Sequence, residues 1–127
     1  AFCRYAEGRG AERVLGIDEK IHTKCANILA FYLGKHNIDY EPLDILEWKP
    51  KEKFDIVFYL SMLVHTSYPK WLPEITNELL IIEENAKGSK FQTENWVEKL
   101  KLDFKKVEVV GKATDKHRGK PIIWCRK

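Results

Sequence analysis

Short apolar runs alternate with segments of helical periodicity along almost the whole of this 127-residue chain, and no other feature restricts the fold as strongly. Ala1 to Glu7 is helical in composition, and Gly8 and Gly10 mark its end. Arg13-Val14-Leu15-Gly16-Ile17 reads as a strand buried on both faces, ending at Asp18. From Lys20 to Lys35, Ile21, Cys25, Ile28, Leu29, Tyr32 and Leu33 recur at spacings of three and four, which predicts an amphipathic helix resting on that stripe. Ile38 to Leu43 is a second strand with Pro42 inside it. Phe54 to Leu60 is the clearest strand, apolar enough to predict a central position. Pro69 opens a helix running to about Asn77, and Leu79 to Ile82 forms another buried strand. Glu94 to Phe104 is a helix with Trp96, Val97, Leu100 and Phe104 as its apolar stripe. Lys106 to Gly111 and Pro121 to Cys125 close the chain as strands.

Strands and helices in this order predict one domain over residues 1–127. It is a three-layer, doubly wound α/β domain with a mostly parallel sheet. No helix separates the last two strands, so they are expected as an antiparallel hairpin at the C-terminal edge.

Composition narrows the function classes. A hydrophobic share of 44% with 12% aromatic residues suits a packed core. The net charge of +3 is too mild to announce a nucleic-acid binder. The basic residues Lys112, Lys116, His117, Arg118 and Lys120 read as a solvated loop, with a phosphate or RNA contact as the alternative. No run of 18 apolar residues is present, so no membrane partner is expected. Cys3, Cys25 and Cys125 are odd in number and dispersed, the pattern of free thiols in a reducing, cytoplasmic setting. His22, Cys25 and His36 lack the paired short spacings of a zinc site, so no metal is expected.

Open α/β sheets bind ligands outside the carboxyl ends of their strands. That rule selects Asp18, Asp44 and Leu60-Ser61-Met62. An acid after one strand can accept the hydroxyls of a ribose, and an acid after the next can receive an exocyclic amine. The two acids therefore describe a site for an adenosine moiety. Each has a plainer reading. Asp18 also reads as the N-cap of the helix beginning near Lys20, and Asp44 as the cap of a turn over Ile45 to Trp48.

The series Val14-Leu15-Gly16-Ile17-Asp18, Ala26-Asn27, Leu43-Asp44-Ile45, Phe54-Asp55-Ile56-Val57-Phe58 and Ser61-Met62-Leu63-Val64-His65 resembles the class I S-adenosylmethionine (SAM) dependent methyltransferases. The likeness runs from about Arg4 to the C-terminus. It implies SAM as cofactor, Asp18 on the ribose, Glu19 by the adenine, Asp44 facing the adenine amine and Ile45 beside the ring. It places Leu60 to His65 along the methyl-transfer pocket. His65 then reads as a general base or a packed, substrate-orienting residue, and Ser61 as a polar group at the same edge. Glu83 and Glu84 either line the acceptor pocket or cap a loop. The family's first strand and its glycine-rich turn against the methionine end have no counterpart from Ala1 onward. The expectation is therefore an N-terminally truncated domain lacking its first strand.

The implied activity is methyl transfer to a small molecule or an RNA. The motif after the central strand is not of the Asn/Asp-Pro-Pro-aromatic type, so the resemblance does not favour amino-methylation of a nucleobase. Two rivals stand beside it. One is a methyltransferase-like binding module without catalysis. The other is a fragment of an NAD-dependent dehydrogenase, which the terminal hairpin speaks against.

Overall fold

A computed structural model describes residues 2–18, 20–45, 47–48, 50–60, 69–83, 96–113 and 120–127. The chain divides into two compact units, Ala1–Trp48 and Lys49–Lys127.

The first unit is a helix followed by a strand–helix–strand motif: α1 (Phe2–Gly8), β1 (Val14–Asp18), α2 (Lys20–Tyr32) and β2 (Ile38–Pro42). The two strands pair in parallel, in register from Val14↔Ile38 to Asp18↔Pro42. Pro42 is tolerated because it ends the strand. Both helices close with the same backbone device. Gly10 (φ 91) and Gly34 (φ 66) take the left-handed conformation that ends each helix. Around them Ala11 N donates to Ala6 O and Gly10 N to Glu7 O, and likewise Lys35 N to Ala30 O and Gly34 N to Phe31 O, all at 2.9–3.1 Å. A half-buried ion pair, Lys35 Nζ to Glu7 Oε2 at 2.6 Å, joins the two caps. Asn37 Nδ2 donates to Ala11 O at 2.9 Å, tying the start of β2 to the approach to β1.

Helix α2 packs on a face other than the expected one. Ile21, Ile28, Leu29, Tyr32 and Leu33 of the predicted stripe are all exposed, Ile21 at 68% and Tyr32 at 81%. The buried positions are Thr23 and Ala30, and Asn27 Nδ2 donates to Tyr40 O at 3.0 Å. Small side chains let the helix approach its strands closely, which a row of isoleucines would prevent.

Gly16 serves the same close packing. A Cβ built there would lie 2.6 Å from a Tyr40 ring carbon and 3.0 Å from Cys3 Sγ. Burial, and then the adjacent Cys3 thiol, raise the Tyr40 phenol above its ordinary value, against a smaller lowering by Arg4. Gly16→Ala is expected to destabilise the protein by about 1–3 kcal/mol, the range for overpacking. Urea denaturation would measure the loss, and Tyr40→Val added to Gly16→Ala should recover part of it.

The second unit holds β3 (Phe54–Tyr59), α3 (Leu72–Ile75), β4 (Thr76–Glu83), α4 (Trp96–Leu100), β5 (Lys106–Lys112) and β6 (Pro121–Arg126). Its strands form one sheet in the order β3-β4-β6-β5. β3 runs parallel to β4. β6 runs antiparallel to both β4 and β5. The expected C-terminal hairpin is therefore present. The whole is a mixed α/β fold, with parallel strand pairs and an antiparallel C-terminal edge.

Three expectations are corrected here. β3 does not lie centrally in its sheet but at one end of the order, with Ile56 52% exposed. An apolar run reports hydrophobicity, not neighbours; the fully buried Leu80, Ile82 and Ile123 belong to β4 and β6. The helix opened at Pro69 is only the single turn of α3, because Thr76 turns extended (φ −93, ψ 119) and starts β4. Its hydroxyl donates to Leu72 O at 2.8 Å, satisfying a carbonyl at the end of that turn. The third correction is the α-helical extent of α4, which ends at Leu100 and continues as turns to Phe104. Of its stripe, Trp96, Leu100 and Phe104 are buried and Val97 is half-buried.

Cys3, Cys25 and Cys125 are free thiols. Burial pushes the Cys125 thiol up to about 12. Among the described residues no helix is long and apolar enough to cross a membrane.

Candidate functional site

The parallel pairing of β1 and β2 brings two acidic residues to one edge. Asp18 is the last residue of β1, opposite Pro42 at the end of β2. One residue later, Leu43 N donates to the Asp18 carbonyl at 3.3 Å, and Asp44 follows directly. The two strands thus release their chains side by side, each with an exposed carboxylate at its carboxyl end. The expected turn after Asp44 is present: its carbonyl accepts from Glu47 N at 3.1 Å and Trp48 N at 2.9 Å. Ile45, in that turn, is half-buried.

A second contact at this edge escaped the sequence reading. His22 Nδ1 lies 3.2 Å from Asp18 Oδ1, across the junction between β1 and α2. The spacing of four residues is the signal in the sequence, and a metal-ligand reading of His22 with Cys25 and His36 does not point to it. Among the described residues no group of three or more His, Cys, Asp or Glu side chains could hold a metal ion.

Leu60 belongs to the second unit, where it follows β3 and is half-buried. Tyr59, just before it, is a core residue at 3% exposure. β3 and β4 end together, with Tyr59 opposite Ile82, so Leu60 and Glu83 leave the same end of adjacent strands. Glu83 is buried and paired with the equally buried Lys120, Oε2 to Nζ at 3.6 Å. Lys120 stands just ahead of β6, and its carbonyl accepts from Ala113 N at 2.8 Å to close the hairpin. Lys120, expected in a solvated loop, is instead buried in this pair. Glu19, Ser61 and His65 lie outside the described residues.

No protein-family model matches the chain, and no curated protein does. Solved structures do match it. WbdD, crystallised with the kinase inhibitor LY294002, superposes with a TM-score of 0.77 at 17% identity, over 98% of this chain and 33% of that one. Magnesium protoporphyrin IX methyltransferase (ChlM) from Synechocystis PCC 6803, with SAM bound, gives 0.76 at 18% identity, over 98% of this chain and 63% of its own. A complex of DhpI with SAM and HEP gives 0.50 at 19% identity, over 99% and 57%. The chain thus spans between one third and two thirds of the length of these neighbours. With its strand–helix order, parallel pairs and reversed C-terminal hairpin, the chain has the fold of the class I SAM-dependent methyltransferases.

Proposed function

We propose that this chain is the adenosine-binding and acceptor-facing part of a SAM-dependent methyltransferase. The observation that carries the proposal is the Leu43 N to Asp18 O bond, which sets Asp18 and Asp44 at one strand edge. The chemistry of this pair fits the group. Carboxylates are acceptors only, and an adenosine offers donors in its ribose hydroxyls and its exocyclic amine. Asp18 accepts from the ribose hydroxyls, Asp44 accepts from the adenine amine, and Ile45 and Glu19 flank the ring. SAM, when bound, supplies a methyl group on a sulfonium that passes to a nucleophile by in-line displacement. ChlM and DhpI, which carry SAM in their own structures, support this reading at the level of the shared fold.

The acceptor is a small molecule or an RNA. We assign Leu60, Ser61 and His65 to the acceptor side, with His65, an imidazole, as the candidate general base. The work of these residues is alignment and the exclusion of water. The roles proposed for these residues belong to the adenosine end and the acceptor side.

Calorimetric titration of SAM and of NAD into the longest native protein carrying this sequence tests the proposal. Saturable SAM binding without NAD binding is the expected result. Binding of NAD alone would favour a dehydrogenase, and binding of neither would favour an interaction module.

A further inference from the structure

We propose that His22 is a positioning residue that holds the Asp18 carboxylate ready for the ribose, an inference that rests on the ribose-binding role of Asp18. Imidazole Nδ1 and carboxylate Oδ1 stand 3.2 Å apart, within hydrogen-bond reach. The two residues sit on different elements. Asp18 ends β1, and His22 is in the first turn of α2, which begins at Lys20. The contact therefore fixes the carboxylate relative to the helix that follows it.

Stability does not explain the pair. The two side chains are 63% and 60% exposed, and ion pairs that open to water contribute little to folding. The ring is also too exposed to be there for packing. Its chemistry does suit a carboxylate that has to bind something else. A carboxylate accepts only, with about four acceptor positions on its two oxygens, so a bond from Nδ1–H can orient it and persist while hydroxyl donors are accepted. A side chain already held in one rotamer loses less freedom when its ligand arrives.

The test compares SAM affinity in the wild-type protein, His22→Ala, His22→Asn, Asp18→Ala and the double variant His22→Ala/Asp18→Ala. His22→Ala is expected to bind about fivefold more weakly, the scale of releasing one immobilised side chain. His22→Asn should stay within about twofold of wild type, because its amide nitrogen is as many bonds from Cα as Nδ1 and still donates. This order separates positioning from helix stability. Alanine is the better helix former, so a merely structural role would make asparagine the more damaging change. The double variant should be no weaker than Asp18→Ala alone. A ligand-free measurement completes the test. Two-bond proton–nitrogen correlations of neutral His22 should report the Nδ1–H tautomer, and Asp18→Ala should remove that preference.

Wild-type affinity in His22→Ala, with Asp18→Ala still defective, would overturn the role of His22 and leave the ribose reading standing. So would an Nε2–H tautomer in the wild-type protein. Undiminished binding in Asp18→Ala would instead overturn the ribose reading, and the role of His22 with it.

Discussion

Replacing Lys120 by methionine is expected to cost about 3–5 kcal/mol of stability, the range for removing one partner of a buried ion pair. Glu83 and Lys120 are each only 8% exposed, so water cannot take over the solvation that the lost ammonium supplied. The pair also links two strands, because Glu83 ends β4 opposite Ile122 and Lys120 leads into β6. Removing both charges together has a different consequence. The variant Glu83→Gln/Lys120→Met buries no net charge and should recover most of the loss, since an apolar or neutral replacement of a buried pair is often harmless. Urea denaturation of the single and double variants checks both statements. Equal destabilisation by the two would show that packing, not charge, sets the cost.

Ile123→Ala is the second large effect, expected at about 2–5 kcal/mol. β6 lies between β4 and β5, and Ile123 is opposite Ile82 on one side and Val109 on the other. Ile123 and Ile82 are fully buried, whereas Val109 is 55% exposed. Truncating Ile123 opens a cavity between close-packed neighbours. Val109→Ala, one strand away on the same ladder, opens none and should cost below about 1 kcal/mol. Comparable losses at the two positions in thermal denaturation would contradict the difference in burial between them.

The elements that could be read from the sequence are those whose pattern is local. The runs at Val14–Ile17, Phe54–Tyr59 and Leu79–Ile82 are all strands, and Gly10 ends α1 as expected. The stripe Trp96–Leu100–Phe104 is buried as its spacing predicts. Properties set by neighbours distant in sequence were hidden. α2 presents two candidate faces, and only the approach of β1 and β2 selects the small one, Thr23 and Ala30, over the larger apolar one. Thr76 sits within a plausible helix until β3 offers Phe54 as a pairing partner. Asp18, which ends β1, and Asp44, two residues beyond β2, were legible because the strand-end rule needs only the order of elements. The Glu83–Lys120 pair joins residues far apart in the chain, which no spacing rule detects. His22 beside Asp18 was within reach at four residues, but the junction between a strand and a helix obscured it.

The ribose-accepting role proposed for Asp18 is tested most directly by one comparison. SAM is titrated calorimetrically into the wild-type protein and into Asp18→Ala, using the longest native chain. The prediction is an affinity more than about tenfold weaker in the variant, or roughly 1.4 kcal/mol, with its fold intact by circular dichroism. Equal affinities in the two proteins would contradict it.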